Sequence, residues 1–193
     1  LVSGSAMAAE EPSYQLVERV GAIEIRDYPA LIHAEVTVRG DRQTATRRGF
    51  GPLATYIFGG NRPREEIAMT APVTASRSGQ SIAMTAPVTS EPVGEGEWVV
   101  SFIMPSEWTM QTLPVANDPD VRLRQAPPRR VVVIAFSGVM NARRAERHLA
   151  ELEAFLQARG LTAQSQPTYA AYNPPWIPGP FRRNEIWVEV SAG

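Results

Sequence analysis

The sequence predicts an α+β domain built from two similar β-α-β-β halves that are related by a pseudo-two-fold axis. The first observation is an internal similarity at an offset of 98 residues, the separation of Ile25 from Leu123. It aligns Ile25-Arg26 with Leu123-Arg124 and Gly40 with Gly138. The second is the repeated order of a strand pair, a helix and then extended segments. Two such units cannot each bury a sheet face alone, so we expect them to pack together around a ligand cleft.

Three segments near the start of the chain have strand patterns. Tyr14 to Val17 and Ile23 to Tyr28 are short, and Leu31 to Val38 alternates apolar and polar residues, which places His33 on the polar face. A helix is expected next, with Asp41 as its N-cap and Gly59-Gly60 at its end. Gly51-Pro52 lies inside this helix and is expected to kink or split it.

The run IAMTAPVT occurs twice, as Ile67 to Thr74 and as Ile82 to Thr89, with the linker Ala75 to Ser81 between the copies. Each copy carries a proline, which cannot donate to a ladder and therefore favours an edge strand. We interpret the pair as a hairpin at a sheet edge that forms one wall of the cleft. At least one of Met69 and Met84, which stand at matching places in the copies, is expected to contact the ligand there. The structural alternative, which these residues alone favour, is a hairpin that packs on the core.

The second half of the chain completes the pattern. A clear amphipathic helix is predicted from about Asn141 to Arg159, ending at Gly160. The remaining strands are expected at Trp98 to Met104, Val121 to Gln125, Val131 to Phe136, Tyr169 to Tyr172 and Glu185 to Val190.

Composition narrows the function classes. The 193 residues, 44% hydrophobic, fit one domain, placed at 13–191 after an N-terminal tail at 1–12. A formal charge of -1 disfavours nucleic-acid binding, and the absence of cysteine excludes disulfides and thiolate ligands. All 19 basic residues are arginines, so a Schiff-base lysine is excluded and guanidinium groups are the only cationic side chains besides histidine.

The first nine residues, Leu1 to Ala9, resemble the end of a secretory signal peptide, which predicts a periplasmic or secreted protein. The alternative is a cloning remnant or a native tail on a cytoplasmic protein. No segment approaches the ~20 apolar residues that a transmembrane helix requires.

Several motifs together closely resemble the SOUL haem-binding protein family. They span about Tyr14 to Val190 and include IEIRDYP at 23–29, YIFGGN at 56–61, the double IAMTAPV, YNPPW at 172–176 and RRNEIW at 182–187. The resemblance implies a distorted antiparallel β-barrel of duplicated halves flanked by two helices, and non-covalent binding of haem or another tetrapyrrole. The sequence also looks like the effector-binding domains of some bacterial transcription regulators, which take small molecules in a central cleft.

The resemblance also implies where haem would bind. In some family members a histidine proposed as axial ligand stands at the position of Asp27, so that ligand is missing here. In others haem is thought to lie in an apolar cleft beside the first helix, with cationic side chains near the propionates. The matching residues are Phe50, Leu53, Ala54 and Ile57 for the wall and Arg47 or Arg48 for the propionates.

Haem iron in proteins is ligated by His, Met, Cys or Tyr, and the candidates here include His33, His148, Met69 and Met84. A solvated position for His33 and a packing role for His148 are favoured over iron ligation. We therefore expect weak or absent axial ligation.

Three function classes follow. The first is a haem or tetrapyrrole carrier, buffer or scavenger, which we favour. The second is a sensor or interaction module that uses the same cleft for an apolar or cationic ligand, with Glu185 facing inward; Glu185 capping its strand or pairing with Arg183 is the structural alternative. The third, a hydrolase or tetrapyrrole-modifying enzyme, is disfavoured because the sequence has no nucleophile elbow, phosphate loop or metal-spaced histidine cluster.

Overall fold

The computed structural model of the protein describes residues 8–64 and 79–191. Over these residues the chain forms two α-helices and eleven strands, all antiparallel where they pair. The elements are β1 Gln15–Val20, β2 Ile23–Tyr28, β3 Leu31–Arg39, α1 Arg42–Ile57, β4 Asn61–Arg62, β5 Val88–Gly94, β6 Glu97–Ile103, β7 Val115–Ala116, β8 Arg122–Ala126, β9 Arg129–Ser137, α2 Ala142–Arg159, β10 Thr168–Ala171 and β11 Arg183–Val190.

The strand order confirms the predicted duplication. The large sheet runs β1-β2-β9-β11-β10-β5-β6-β3-β8. From β2 to β8, each strand can be exchanged for its counterpart in the other half, namely β2 for β8, β9 for β3, β11 for β6 and β10 for β5. The exchange gives the same order read from the opposite end of the sheet. The pseudo-two-fold axis therefore passes between β10 and β5. The first strand of each half pairs with the other half, β2 with β9 and β8 with β3.

The expected β-barrel is wrong in one respect, because the sheet is open. In the described ranges β1 pairs only with β2 and β8 only with β3, so the sheet has two ends. Both end strands carry exposed charges, Glu18 and Arg19 on β1 and Arg122 and Arg124 on β8. Charged edge strands resist further pairing, which is consistent with an open sheet.

Both helices pack on the same face of the sheet. Leu53 and Ile57 of α1 belong to a core with Val100 and Phe102. In the other half, Leu152 and Leu156 of α2 lie in a core with Ile134, Ile186 and Val188. A third cluster lies on the opposite face, here called the inner face, and both halves contribute to it: Tyr28, Ile103, Val131, Val133, Ala170 and Trp187.

The first helix begins as predicted but is not split. The Asp41 carboxylate accepts a hydrogen bond of 2.9 Å from the Thr44 backbone N–H, and the helix continues through Pro52 to Ile57. Proline removes one backbone hydrogen bond. The buried side chains Leu53 and Ile57, which follow directly, pack against the sheet and hold the last turns in place.

Two glycines of α1 provide a test of this packing. A Cβ built on Gly49 would lie 2.7 Å from the Val100 Cβ, whereas one built on Gly51 would meet nothing within 4 Å. Gly49→Ala is therefore expected to lower the free energy of unfolding by about 1–3 kcal/mol through overpacking. Gly51→Ala is expected to raise it by up to about 1 kcal/mol through helix propensity. Urea denaturation of both variants checks the two signs, and equal effects would contradict the placement of α1.

The second copy of the IAMTAPVT repeat does not lead into an edge strand, so the predicted edge position is wrong for this copy. The first copy, Met69 and most of the linker lie outside the described residues. Isolated bridges form at Ser81, the last residue of the linker, and at Thr85 in the second copy, and the strand of this copy, β5, begins only at Val88. This strand lies in the middle of the sheet, between β6 and β10. A central position is tolerated because Pro87, the proline of this copy, precedes the strand and takes no part in its ladders, which start at Val88.

The second helix follows the prediction closely. Asn141 caps it by accepting a hydrogen bond from the Arg144 backbone N–H, and Gly160 ends it with a left-handed φ of 65°. Neither α1 nor α2, the helices found in the described ranges, is long and apolar enough to cross a membrane.

Candidate functional site

One face of α1 is exposed and apolar, and we call it the α1 outer face. It consists of Arg47, Phe50, Gly51, Ala54 and Phe58, which recur at the spacing of one helical stripe. Phe50 is 43% exposed and Phe58 is 70% exposed. Between these rings stand Gly51, which has open space above it, and the small Ala54. The α1 outer face is therefore a shallow apolar surface with an aromatic ring near each end, and Arg47 lies at the Phe50 end.

The predicted apolar wall is thus divided between two environments. Phe50 and Ala54 lie on the outer face, but Leu53 and Ile57 are fully buried beneath the helix. Phe50 also contacts the core, since its ring lies 5.3 Å from the Phe102 ring. Arg48 is exposed, one position along the helix from Arg47.

Met84 lies near the end of the same helix. It is half-buried and packs against the core beneath α1. The chain is fixed there because the Ile82 backbone N–H donates to the Ile57 carbonyl at 2.7 Å. The second copy of the repeat therefore borders the C-terminal end of α1.

Neither histidine lies on the α1 outer face. His33 is on the inner face of β3 and only 3% exposed, so the solvated position expected for it is wrong. Its Nδ1 atom lies 3.4 Å from the Ser101 Oγ atom, and its buried Nε2 atom has no hydrogen-bond partner in the part of the chain that is described. Burial, with the nearby charges of Arg129 and Arg124, lowers the pKa of His33 to about 3.

His148 lies on α2 and has a packing role. Its ring stacks on the Phe136 ring at 4.0 Å, and its Nδ1 atom is 3.5 Å from the Glu151 carboxylate. Burial and the Arg147 charge lower its pKa. Asp27 accepts two hydrogen bonds from Arg130, at 2.7 and 2.8 Å, and provides no imidazole for iron.

Glu185 faces inward as predicted, but other groups of the chain already satisfy its carboxylate. Its side chain is 0% exposed and Arg26, 3% exposed, donates to both oxygens at 2.9 and 3.0 Å. Tyr172, Trp187 and Arg183 donate three more hydrogen bonds, at 2.7, 2.7 and 2.9 Å. Burial alone would raise the pKa of Glu185, but the Arg26 charge and these hydrogen bonds outweigh it and hold the pKa below its usual range.

Arg26 is the residue of this cluster that the sequence interpretation missed. The signal was present in β2, where Glu24, Arg26 and Tyr28 alternate with the buried Ile23 and Ile25. That alternation places Arg26 on the same inner face as Glu185.

The chain also contains a cavity of about 550 Å³ beside the start of β3. Its walls include Leu31, Ile103, Met104, Trp108 and Met110, and its rim includes Glu10 and Glu11. No arginine is among the lining residues in the described ranges. The surroundings of this cavity therefore disfavour an anionic ligand.

The described residues contain no group of three or more His, Asp or Glu side chains placed to hold a metal ion.

The fold and the outer face together define a duplicated α+β domain with an exposed apolar surface on its first helix. The chain belongs to the SOUL haem-binding protein family, because the family model described as SOUL heme-binding protein matches residues 9–189. It is 29% identical over 190 residues to Heme-binding protein 2 of Homo sapiens, covering 95% of this chain and 87% of that protein. Heme-binding protein 2 of Mus musculus is 28% identical over 190 residues, with 94% and 86% covered.

Solved structures with the same fold are far more distant in sequence. The C-terminal domain of EcmrR has a TM-score of 0.59 at 13% identity, with 92% of this chain and 98% of that chain covered. A protein named as a hydrolase from Listeria innocua has a TM-score of 0.54 at 14% identity, with 96% and 94% covered. At these identities the likeness shows the fold alone.

Proposed function

We propose that this protein binds haem or a related tetrapyrrole reversibly on the α1 outer face and acts as a carrier, buffer or scavenger. The observation that carries the proposal is the exposed aromatic and glycine-containing face of α1 in a member of a haem-binding family. A scavenger role suits the periplasmic or secreted location that the first nine residues predict.

The outer face suits a flat macrocycle in size and chemistry. Phe50 and Phe58 are eight residues apart, which corresponds to about 12 Å along a helix axis. The surface between them is low because Gly51 has no side chain and Ala54 has one carbon. A ring resting there would contact aromatic groups at both ends, and Arg47 would hold a propionate by a charge-assisted hydrogen bond.

Bound haem would supply an iron atom, and neither histidine of this chain lies on that face. His33 is buried on the opposite side of the sheet and His148 is on α2. Met69 and Met84 are the remaining candidates from the sequence, and thioether sulfur is a weaker ligand than imidazole. Weak ligation on an exposed surface favours release and exchange, which is why we propose reversible transfer or storage over catalysis at the iron.

The cavity near Trp108 is the alternative location for haem, and the charges on its rim disfavour it. Haem carries two propionates, and the rim of that cavity has two glutamates with no arginine among its described lining residues. The α1 outer face has Arg47, with Arg48 beside it. Electrostatics therefore favours α1.

Gly51→Leu tests this location. The added side chain enters open space, so the fold should be unaffected, but it occupies the surface on which the ring would rest. We expect haemin affinity to fall at least about tenfold, equivalent to about 1.4 kcal/mol. The measurement is a haemin titration followed by Soret absorbance, with circular dichroism to confirm the fold.

Ala150→Leu is the matched control, because it adds the same bulk to an exposed position of α2. It should leave haemin affinity unchanged. Haemin dimethyl ester, which lacks the propionate charges, should bind Arg47→Ala and wild-type protein equally. Unchanged binding by Gly51→Leu would remove the proposed location, whereas wild-type protein that shows no saturable one-to-one binding would remove the proposed function.

A further inference from the structure

The guanidinium group of Arg26 is enclosed by a complete set of ligands on the inner face of the sheet. We propose that this set is a guanidinium-binding site whose ligand is the chain's own Arg26, and that Arg26 thereby closes the inner face to other cations. The proposal is independent of haem binding on α1, since α1 packs on the opposite face of the sheet.

Carboxylates bind the edge of the guanidinium group. Glu185 accepts from Nη1 and Nη2 at 2.9 and 3.0 Å, and Glu24 accepts from Nε at 2.6 Å. All three nitrogen atoms of Arg26 therefore donate to a carboxylate. This bidentate arrangement is specific for the planar guanidinium fork and would not suit an ammonium group equally.

Aromatic groups form the rest of the site. The Arg26 guanidinium lies 4.3 Å from the centroid of the Tyr14 ring, and its Nη1 also donates to the Tyr28 hydroxyl at 3.1 Å. The Tyr28 ring stacks on Trp187 with 5.3 Å between centroids and lies 5.3 Å from the Tyr14 ring. A carboxylate edge with an aromatic face is the chemistry by which proteins recognise cationic ligands.

The walls of the site are held by contacts that do not involve Arg26. Glu185 keeps hydrogen bonds from Tyr172, Trp187 and Arg183 when the Arg26 side chain is removed. Tyr28 keeps its stack on Trp187. We therefore expect a small residue at position 26 to leave a formed site rather than a collapsed one.

The charge balance gives the vacated site its selectivity. Glu11, Glu24 and Glu185 are paired with Arg19, Arg26 and Arg183 in one connected set of ion pairs. Removing Arg26 leaves this set one positive charge short around a fully buried carboxylate. A small external cation of the same shape restores the balance, and a neutral isostere does not.

The duplicated half supplies an internal control. Arg124 aligns with Arg26, but its side chain is 45% exposed and pairs only with Glu35, at 2.9 Å, among the described ion pairs. The same residue type at the equivalent position therefore has no enclosing site. Arg26 is distinguished by its surroundings and not by the repeat.

The test is chemical rescue of Arg26→Gly by methylguanidinium in the full chain. At millimolar concentrations, which do not denature proteins, the ligand should raise the melting temperature of Arg26→Gly in proportion to ln(1 + [L]/Kd). Methylurea, the neutral isostere, should have no effect on it. Wild-type protein and Arg124→Gly should not respond to either compound. Arg26→Gly that responds no more than wild-type protein would overturn the proposal, as would equal rescue by methylurea.

The proposal can also be tested if the Arg26→Gly variant does not fold on its own. If Arg26→Gly is unfolded without ligand, the same titration is followed as recovery of the native circular dichroism spectrum, and no recovery at saturating ligand counts against the site. The double variant Arg26→Gly/Glu185→Gln keeps the shape but removes the carboxylate charge. Its apparent Kd for methylguanidinium should be at least about tenfold higher than that of Arg26→Gly. An unchanged response would show that methylguanidinium binds elsewhere.

Discussion

Glu185→Ala is expected to lower the free energy of unfolding by about 3–5 kcal/mol, because it leaves a buried guanidinium without its main counter-charge. Arg26 is 3% exposed, and of its three hydrogen-bonding nitrogens only Nε keeps a carboxylate partner, Glu24, after the change. The hydrogen bonds from Tyr172 and Trp187 also lose their acceptor. Urea denaturation with an unchanged m-value would assign the loss to stability.

Two further variants separate the charge from the packing. Glu35→Ala removes the carboxylate that pairs with the exposed Arg124, and it should cost less than about 1 kcal/mol. Arg26→Met/Glu185→Leu removes both charges at once, so no unpaired charge stays buried and the loss should be smaller than for Glu185→Ala. A loss below about 1 kcal/mol in Glu185→Ala itself would show that solvent reaches Arg26.

The duplicated architecture could be predicted because its signals are local. Gly40 and Gly138, aligned by the internal similarity, both adopt positive φ, at 135° and 106°, shortly before the N-caps of α1 and α2. Asp41 and Asn141 then cap the two helices in the same way. Turn and capping preferences depend on neighbouring residues, and so the sequence alone locates them.

The environments within the first helix could be predicted only in part. Helical periodicity groups Phe50 with Ala54 and Leu53 with Ile57, but it does not say which group faces the sheet. The observed choice follows from Gly49, which allows α1 to approach Val100 closely and turns the opposite stripe to solvent. That contact joins residues far apart in sequence, so no local pattern reveals it.

The cluster on the inner face shows the same limit more strongly. Arg26 and Glu185 are 159 residues apart, and their contact depends on β9 lying between β2 and β11. Alternation places each residue on the inner face, but only the strand order makes them neighbours. The central place of β5 was missed for a related reason: the proline rule applies to individual ladder positions, and Pro87 lies just before the first residue of β5 that pairs.

The buried His33 should make the stability of this protein fall as the pH is lowered. Burial, together with Arg129 and Arg124, lowers the pKa of His33 to about 3 in the folded protein, against about 6.5 in an unfolded chain. Between these values the unfolded state binds a proton that the folded state does not. Folding stability is then fully present above about pH 6.5 and is lost by about 1.4 kcal/mol per pH unit below it.

His33→Leu removes this dependence, and Ser101 keeps its contact with Thr89 at 2.6 Å in the variant. Urea unfolding at about pH 7 and about pH 5 should show a stability loss smaller than that of wild-type protein by about 2 kcal/mol. His148→Gln is the control, and it should retain most of the dependence because His148 is only half-buried. Burial raises the pKa of Glu91, so Glu91 contributes to the pH dependence of stability with a sign opposite to that of His33. The contribution of His33 is therefore the difference between the pH dependence of the variant and that of wild-type protein. Parallel pH profiles for His33→Leu and wild-type protein would mean that His33 is protonated in the folded state, with a proton acceptor or anion at its Nε2 atom.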